Sequence, residues 1–235
     1  LLIDPRSGHG YRIDEGRGLY YGIASDDRGI WVGARNRLVS SELPPAEERG
    51  QILIFDRHWR CDALPAAPFP LRDIHQILLR QNQLWVTCAF DNCVAIYDGD
   101  SRQWMEWHPL GVPQGEPKDM NHFNSLEIFD QHLCVVAHNK GDSDLLFFQL
   151  PDYTLVNTVR LGKQAHNVWR RGSAWATCSS GEGKLVSTDG WTVETGGFPR
   201  GVAFLGEEIC VGVSEIAERN QRDFTTGQLL FFDQQ

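Results

Sequence analysis

The sequence predicts an all-β fold, a five-bladed β-propeller of four-stranded antiparallel blades closed by an N-terminal strand, and three observations carry that expectation. Short apolar runs recur with turn residues between them along all 235 residues. No long stretch shows a 3.6-residue apolar period with a capping signal. One cassette of runs returns at about 40 to 50 residues, the period of propeller blades, which leave only short and protected strand edges.

The cassettes follow in order. The first reads RGLYYGIASDDRGIWVGARN and then GQILIFDRHWRCDAL. The second is RDIHQILLRQNQLWVTCAFDNCVAIYD followed by RQWMEWHPL, the clearest of the set because ILL, LWVTC and CVAIYD are parted cleanly by polar residues. The third is NHFNSLEIFDQHLCVVAHN with SDLLFFQLPDYTLVNTVRL, and the fourth AHNVWRRGSAWATCSS with GKLVSTDGWTVETG. The fifth, PRGVAFLGEEICVGVSE with GQLLFFD, stops at Asp233 after its third run. HGYRIDEG has the pattern of an outer strand and is expected to complete that blade, so that residues 1–235 form a single domain. LLID resembles a third-strand run and has no assigned place. A six-bladed ring completed by further sequence is the alternative.

Two connections exceed what the repeat needs, Arg35 to Gly50 in the first blade and Ser214 to Gly227 in the fifth. Long loops in a compact domain are often binding loops or lids, with tolerated insertion as the plain alternative.

Charge and cysteine usage bound the function. The net charge of −9 argues against a nucleic-acid or anionic-membrane partner, since both require a basic footprint. The six cysteines form no C-x-x-C pair and mostly sit inside apolar strand runs, as small hydrophobes in a reducing compartment do. No apolar run has the length of a membrane span and no leader is read, so a cytoplasmic location is expected, although the chain opens on Leu1 rather than Met.

In propeller topology the start of the innermost strand and the end of the second strand share one rim of the central channel. Aligned this way, the strand-one starts are Tyr21, His75, His122 with Asn124, His166 with Asn167, and Arg200. The strand-two ends supply Arg35 with Asn36, Asp91 with Asn92, His138 with Asn139, Ser179 with Ser180, and Ser214 with Glu215. His75, His122 and His166 from separate blades are read as ligands of a divalent transition metal (Zn, Mn, Fe, Ni or Cu), with a position open for water or substrate. Hydrogen-bonded rim histidines are the competing reading. His138 is a fourth ligand or a general base, and Glu215 a second candidate for proton transfer. Arg200 is read as an anion clamp, against an ion pair with Glu215 or Asp91. Tyr21, Asn36, Asn92, Asn124, Asn139, Asn167 and Ser214 are expected to contact a small-molecule substrate. GEGK, at Gly181 to Lys184, has no helix after it and is not a phosphate loop.

At these residues the chain resembles a family of uncharacterised bacterial proteins with propeller-like repeats. The likeness lies in Asp73-Ile74-His75 with Leu84-Trp85, in Asn121-His122-Phe123-Asn124-Ser125-Leu126, and in Ala165-His166-Asn167-Val168-Trp169. It is most specific in Phe198-Pro199-Arg200-Gly201-Val202-Ala203-Phe204 with Val211-Gly212-Val213-Ser214. It covers roughly residues 70 to 235, departs at Ser125 where the family has Gly, and implies no activity.

Three function classes follow. The first is a metal-dependent enzyme, a lyase, isomerase or oxidoreductase, acting on a small polar or anionic substrate at the channel mouth. The second is a non-catalytic ligand- or protein-binding propeller. The third is a metal-free hydrolase or transferase that uses His and an acid.

Overall fold

A computed structural model describes residues 2–4, 7–39, 41–115 and 118–233. The strands, in chain order, are β1 (Leu2–Ile3) and β2 (Gly10–Tyr11), and then the blades. Blade one holds β3 (Tyr20–Asp26), β4 (Gly29–Ala34), β5 (Gln51–Phe55) and β6 (Cys61–Ala63). Blade two holds β7 (Ile74–Arg80), β8 (Gln83–Cys88), β9 (Cys93–Asp98) and β10 (Gln103–Trp107). Blade three holds β11 (Phe123–Phe129), β12 (His132–Ala137), β13 (Asp142–Gln149) and β14 (Thr154–Lys163). Blade four holds β15 (Ala165–Arg171), β16 (Ala174–Ser179), β17 (Lys184–Ser187) and β18 (Thr192–Glu194). Blade five holds β19 (Phe198–Leu205), β20 (Glu208–Ser214) and β21 (Gly227–Asp233). Every blade is an antiparallel meander in sequence order, and the five form the ring of a β-propeller. No described helix is long and apolar enough to cross a membrane.

The apolar runs are almost continuous in the middle strands because a blade is sandwiched, so both of its faces need apolar cover. In blade two, Leu84, Val86 and Ala95 pack toward Trp31 and Ile52 of blade one. The alternating Trp85, Val94 and Ile96 pack toward Leu126, Leu133 and Phe148 of blade three. Burying each large side chain contributes about 1.5–3 kcal/mol, so the inter-blade layers hold the ring together. Gly22 lets blades one and two approach: its φ is +76°, and a Cβ there would meet the Ile77 backbone nitrogen at 2.7 Å.

The N-terminal closure differs from the sequence expectation. Gly10–Tyr11, within HGYRIDEG, pairs with Leu2–Ile3 rather than with β21; among the described residues β21 pairs with β20 alone and the fifth blade has three strands. The physical reason is local. The Asp4 N–H donates to the His9 carbonyl and the Gly8 N–H to the Asp4 carbonyl, and a tight hairpin costs far less loop-closure entropy than a ring-spanning pairing. Leu2 and Ile3 of the LLID run thereby find their place, and Leu1 lies outside the described residues. Ile13 then packs on Ala34, Leu53 and Phe55 of blade one. Blades five and one are bridged by Arg200 to Tyr21 and by the Val39 N–H to Asp223, the latter joining the two long loops. Ile23 of blade one and Leu229 of blade five are left exposed.

Candidate functional site

Each innermost strand breaks its register with its neighbour once, and always near the channel. The shifts fall between Tyr21 and Ile23, Ile74 and Ile77, Phe123 and Ser125, His166 and Trp169, and Pro199 and Val202. A bulge bends the strand and re-aims a side chain, which is why bulges gather at functional sites. Here they turn five equivalent residues inward: Tyr21, His75, Asn124, His166 and Arg200. All five line one cavity of about 500 Å³.

A second layer stands above this ring. Asp73 precedes β7 by one residue and His122 precedes β11 by one, both with left-handed backbones (φ 56° and 51°). His122 is therefore the counterpart of Asp73, one step above His75, and Asn124 is the counterpart of His75 and His166. The sequence alignment of the three histidines is corrected accordingly. His75 and His166 lie inside their strands, and His122 does not. Among the described residues, one group of metal-binding side chains has its donor atoms within 4.8 Å of one another: Asp73, His75 and His122. His166 is not in it, its ring lying 6.2 Å from that of His75. Asp73 was not read as a site residue from the sequence; the available signal was its place two residues before His75.

Hydrogen bonds fix which ring nitrogens are free. The His122 Nδ1 lies 2.9 Å from Asp119 Oδ2, and a carboxylate only accepts, so Nδ1 carries a proton and in the neutral ring Nε2 holds the lone pair. The His166 Nδ1 lies 3.0 Å from the Gln164 carbonyl and 2.9 Å from Ser180 Oγ, whose own proton goes to the Pro199 carbonyl, so its Nε2 is also the free acceptor. His138 is reversed. Its Nδ1 accepts from the Lys140 N–H at 3.0 Å, which leaves an Nε2–H donor in the neutral ring. His75 Nε2 sits 3.2 Å from Asp73 Oδ1 and donates to it. The rings touch in sequence, with centroids 4.6 Å apart for His75–His122, 4.7 Å for His122–His138 and 5.3 Å for His138–His166.

Burial and mutual repulsion disfavour the charged forms of His75, His138 and His166. Burial, then the neighbouring His122 and His75, push His138 down to about 3. Burial pushes His166 well below the ordinary range, reinforced by His75, His138 and Arg200. Burial also lowers His75, against the pull of Asp73. Asp73 moves the other way from what burial alone would cause, because His75, Arg35 and His122 hold it far below the usual carboxylate range. Arg35 Nη1 is 2.5 Å from Asp73 Oδ1. The same guanidinium grips Glu48, fully buried, through Nε at 2.7 Å and Nη2 at 2.8 Å, and Glu48 accepts the Asp73 N–H. The long Arg35–Gly50 loop thus builds the buried wall behind Asp73.

Arg200 pairs with neither Glu215 nor Asp91. Its Nη1 donates to the Tyr21 hydroxyl at 3.1 Å and its Nη2 to Ser214 Oγ at 3.3 Å, between the faces of Tyr21 and Phe198. Asp91 is taken by Arg72. Glu215 is exposed and accepts the Thr226 N–H, and it lines a second cavity with Arg200 and Ser214. Four of the asparagines read as substrate contacts have their side chains engaged in bracing loops: Asn36 accepts from the Arg49 N–H, Asn92 from the Met120 and Asn121 N–H groups, and Asn167 from the Gly201 N–H, while Asn139 donates to Asp144. Asn124 is different. It is 1% exposed, its Nδ2 donates to the Ala165 carbonyl at 2.9 Å, and its Oδ1 has no partner among the described residues.

No family model and no curated protein matches the chain. Solved structures do. A streptogramin B lyase is 14% identical with a TM-score of 0.57, over 91% of this chain and 68% of that one. A nidogen/laminin complex gives 11% identity and 0.59 over 91% and 75%, and a luciferin-regenerating enzyme 11% and 0.56 over 83% and 70%. At such identities the likeness is one of fold.

Proposed function

We propose that the protein is a metal-dependent enzyme acting on a small anionic molecule at the mouth of the propeller channel. The convergence of Asp73, His75 and His122 within 4.8 Å carries this reading. Two imidazoles and a carboxylate suit Zn, Mn, Fe, Ni or Cu and leave coordination positions open. The Asp119–His122 pair is the kind of carboxylate–histidine contact that orients a ligand ring and raises its basicity. A bound cation there would act as a Lewis acid on a substrate oxygen. Arg200, without a carboxylate partner, is the anion clamp. His138 takes the role of hydrogen-bond donor to developing negative charge, since its Nδ1 is already engaged. Lyase, isomerase and oxidoreductase chemistry all fit this set. Two measurements test the reading together: metal content of protein purified without chelator, and uptake by the His122→Ala variant. About one ion per chain, lost in the variant, is expected; no binding of any of the five metals overturns it.

One observation favours a second reading. The permanent charge of Arg35, 2.5 Å from Asp73, already neutralises the carboxylate a cation would use. A metal-free enzyme would then rely on His122 as general base, oriented by Asp119. Turnover that survives chelator would select this reading. Failure of both would leave a non-catalytic binding propeller.

A further inference from the structure

The five inward-turned residues divide into two chemical ends. At one end Arg200 presents its guanidinium. The Tyr21 hydroxyl, which accepts from Arg200, has its own proton left to donate. These are donors for an anion, and the planar fork favours a carboxylate. At the other end stand acceptors. Asn124 Oδ1 is buried and unpartnered, and the amide cannot be turned over without losing the bond to the Ala165 carbonyl. His166, the residue after Ala165, has its Nε2 free by the tautomer its Nδ1 bonds impose. Both ends open on the same cavity of about 500 Å³.

We infer that the ligand of this channel is a small hydroxy- or amino-carboxylic acid, held by its carboxylate on Arg200 and Tyr21 and by its O–H or N–H donor on Asn124 and His166. A plain carboxylate would satisfy the first end and leave the Asn124 carbonyl still without a partner. Sites built around a buried polar group reject the analogue that lacks its partner far more strongly than apolar pockets reject a missing methylene. The inference rests on the channel being the substrate site and is independent of a metal.

The test is titration calorimetry on chelator-treated protein with lactate, 3-hydroxybutyrate, 4-hydroxybutyrate and 4-aminobutyrate, set against propionate and butyrate. At least one donor-bearing acid is expected to bind tenfold or more tightly than its plain counterpart. Asn124→Ala should erase that preference while the plain acid binds as before. Arg200→Lys should weaken all of them about tenfold with the melting temperature unchanged. If Asn124→Ala does not fold, the wild-type series and Arg200→Lys still decide the matter. Equal affinity for hydroxylated and plain acids, or Arg200→Lys binding like wild type, overturns the inference. Binding that occurs only after metal is restored also overturns it, while leaving the metal reading intact. Binding without metal, in a protein that takes up no metal, supports it and removes the metal reading.

Discussion

Replacing Arg35 by Met removes the cation shared by two buried carboxylates. Glu48 is fully buried and loses a two-pronged partner; Asp73 loses a contact at 2.5 Å. Breaking a buried ion pair from one side costs about 3–5 kcal/mol because an uncompensated charge is left behind. For a domain of this size each kcal/mol shifts the melting temperature by about 2–4 °C, so a fall of roughly 6–20 °C is expected. The matched surface pair supplies the control: Arg160, two-thirds exposed, bonds Asp144, and Arg160→Met should leave the melting temperature almost unchanged. The pH dependence adds a sign. In the wild type the folded Asp73 titrates below its unfolded value, so its contribution is complete above about pH 3.9 and fades only as pH falls toward the depressed folded value. Without Arg35 the folded value rises, with His75 still pulling it down against burial, and the deficit should be largest at neutral pH and shrink on acidification. Urea unfolding followed by tryptophan fluorescence measures both. A variant within about 1 kcal/mol of wild type at pH 7, or a deficit that grows on acidification, would refute the reasoning.

Three further outcomes follow from the same structure. His75, His138 and His166 are all depressed, so their neutral burial stabilises the fold above the unfolded value of about 6.5 and is lost as pH falls below it; melting curves should drop steadily from pH 6.5 downward, and less steeply in His138→Asn. Gly22→Ala should cost about 1–3 kcal/mol from strain at φ +76° together with a clash on the Ile77 backbone, and clearly more than Gly172→Ala, where a left-handed glycine has open space around it. Removing residues 1–11 should leave melting almost unchanged, because the hairpin completes no blade, whereas Ile13→Ala should lower it by loosening the cover over Leu53 and Phe55.

The ring was legible because blade strands are sandwiched and write themselves as apolar runs, as in LWVTC and CVAIYD. The fifth blade misled for a reason of energy rather than pattern: HGYRIDEG does look like an outer strand, but a neighbouring partner seven to nine residues away wins over one across the ring. At the site, Tyr21, His75, His166 and Arg200 could be placed because they follow the repeat. Placing His122 required the register of β11, since a one-residue shift moves it from the inward ring to the layer above, beside Asp73. The asparagines were ambiguous by nature. Asn92, Asn139 and Asn167 occupy left-handed backbone positions that Asn favours, and in sequence such a brace looks the same as a substrate contact. Only Asn124, whose buried carbonyl has no partner among the described residues, differs, and that difference is one of packing.

The most direct test of the account is the metal content of the purified protein, read by elemental analysis beside His75→Ala, His122→Ala and His108→Ala variants. His108 sits away from the group formed by Asp73, His75 and His122, bonded to the Asn92 carbonyl. The account predicts close to one transition-metal ion per chain, retained in His108→Ala and lost in the other two. Protein that holds no ion and takes up none of Zn, Mn, Fe, Ni or Cu, or that loses it equally in all three variants, would contradict it.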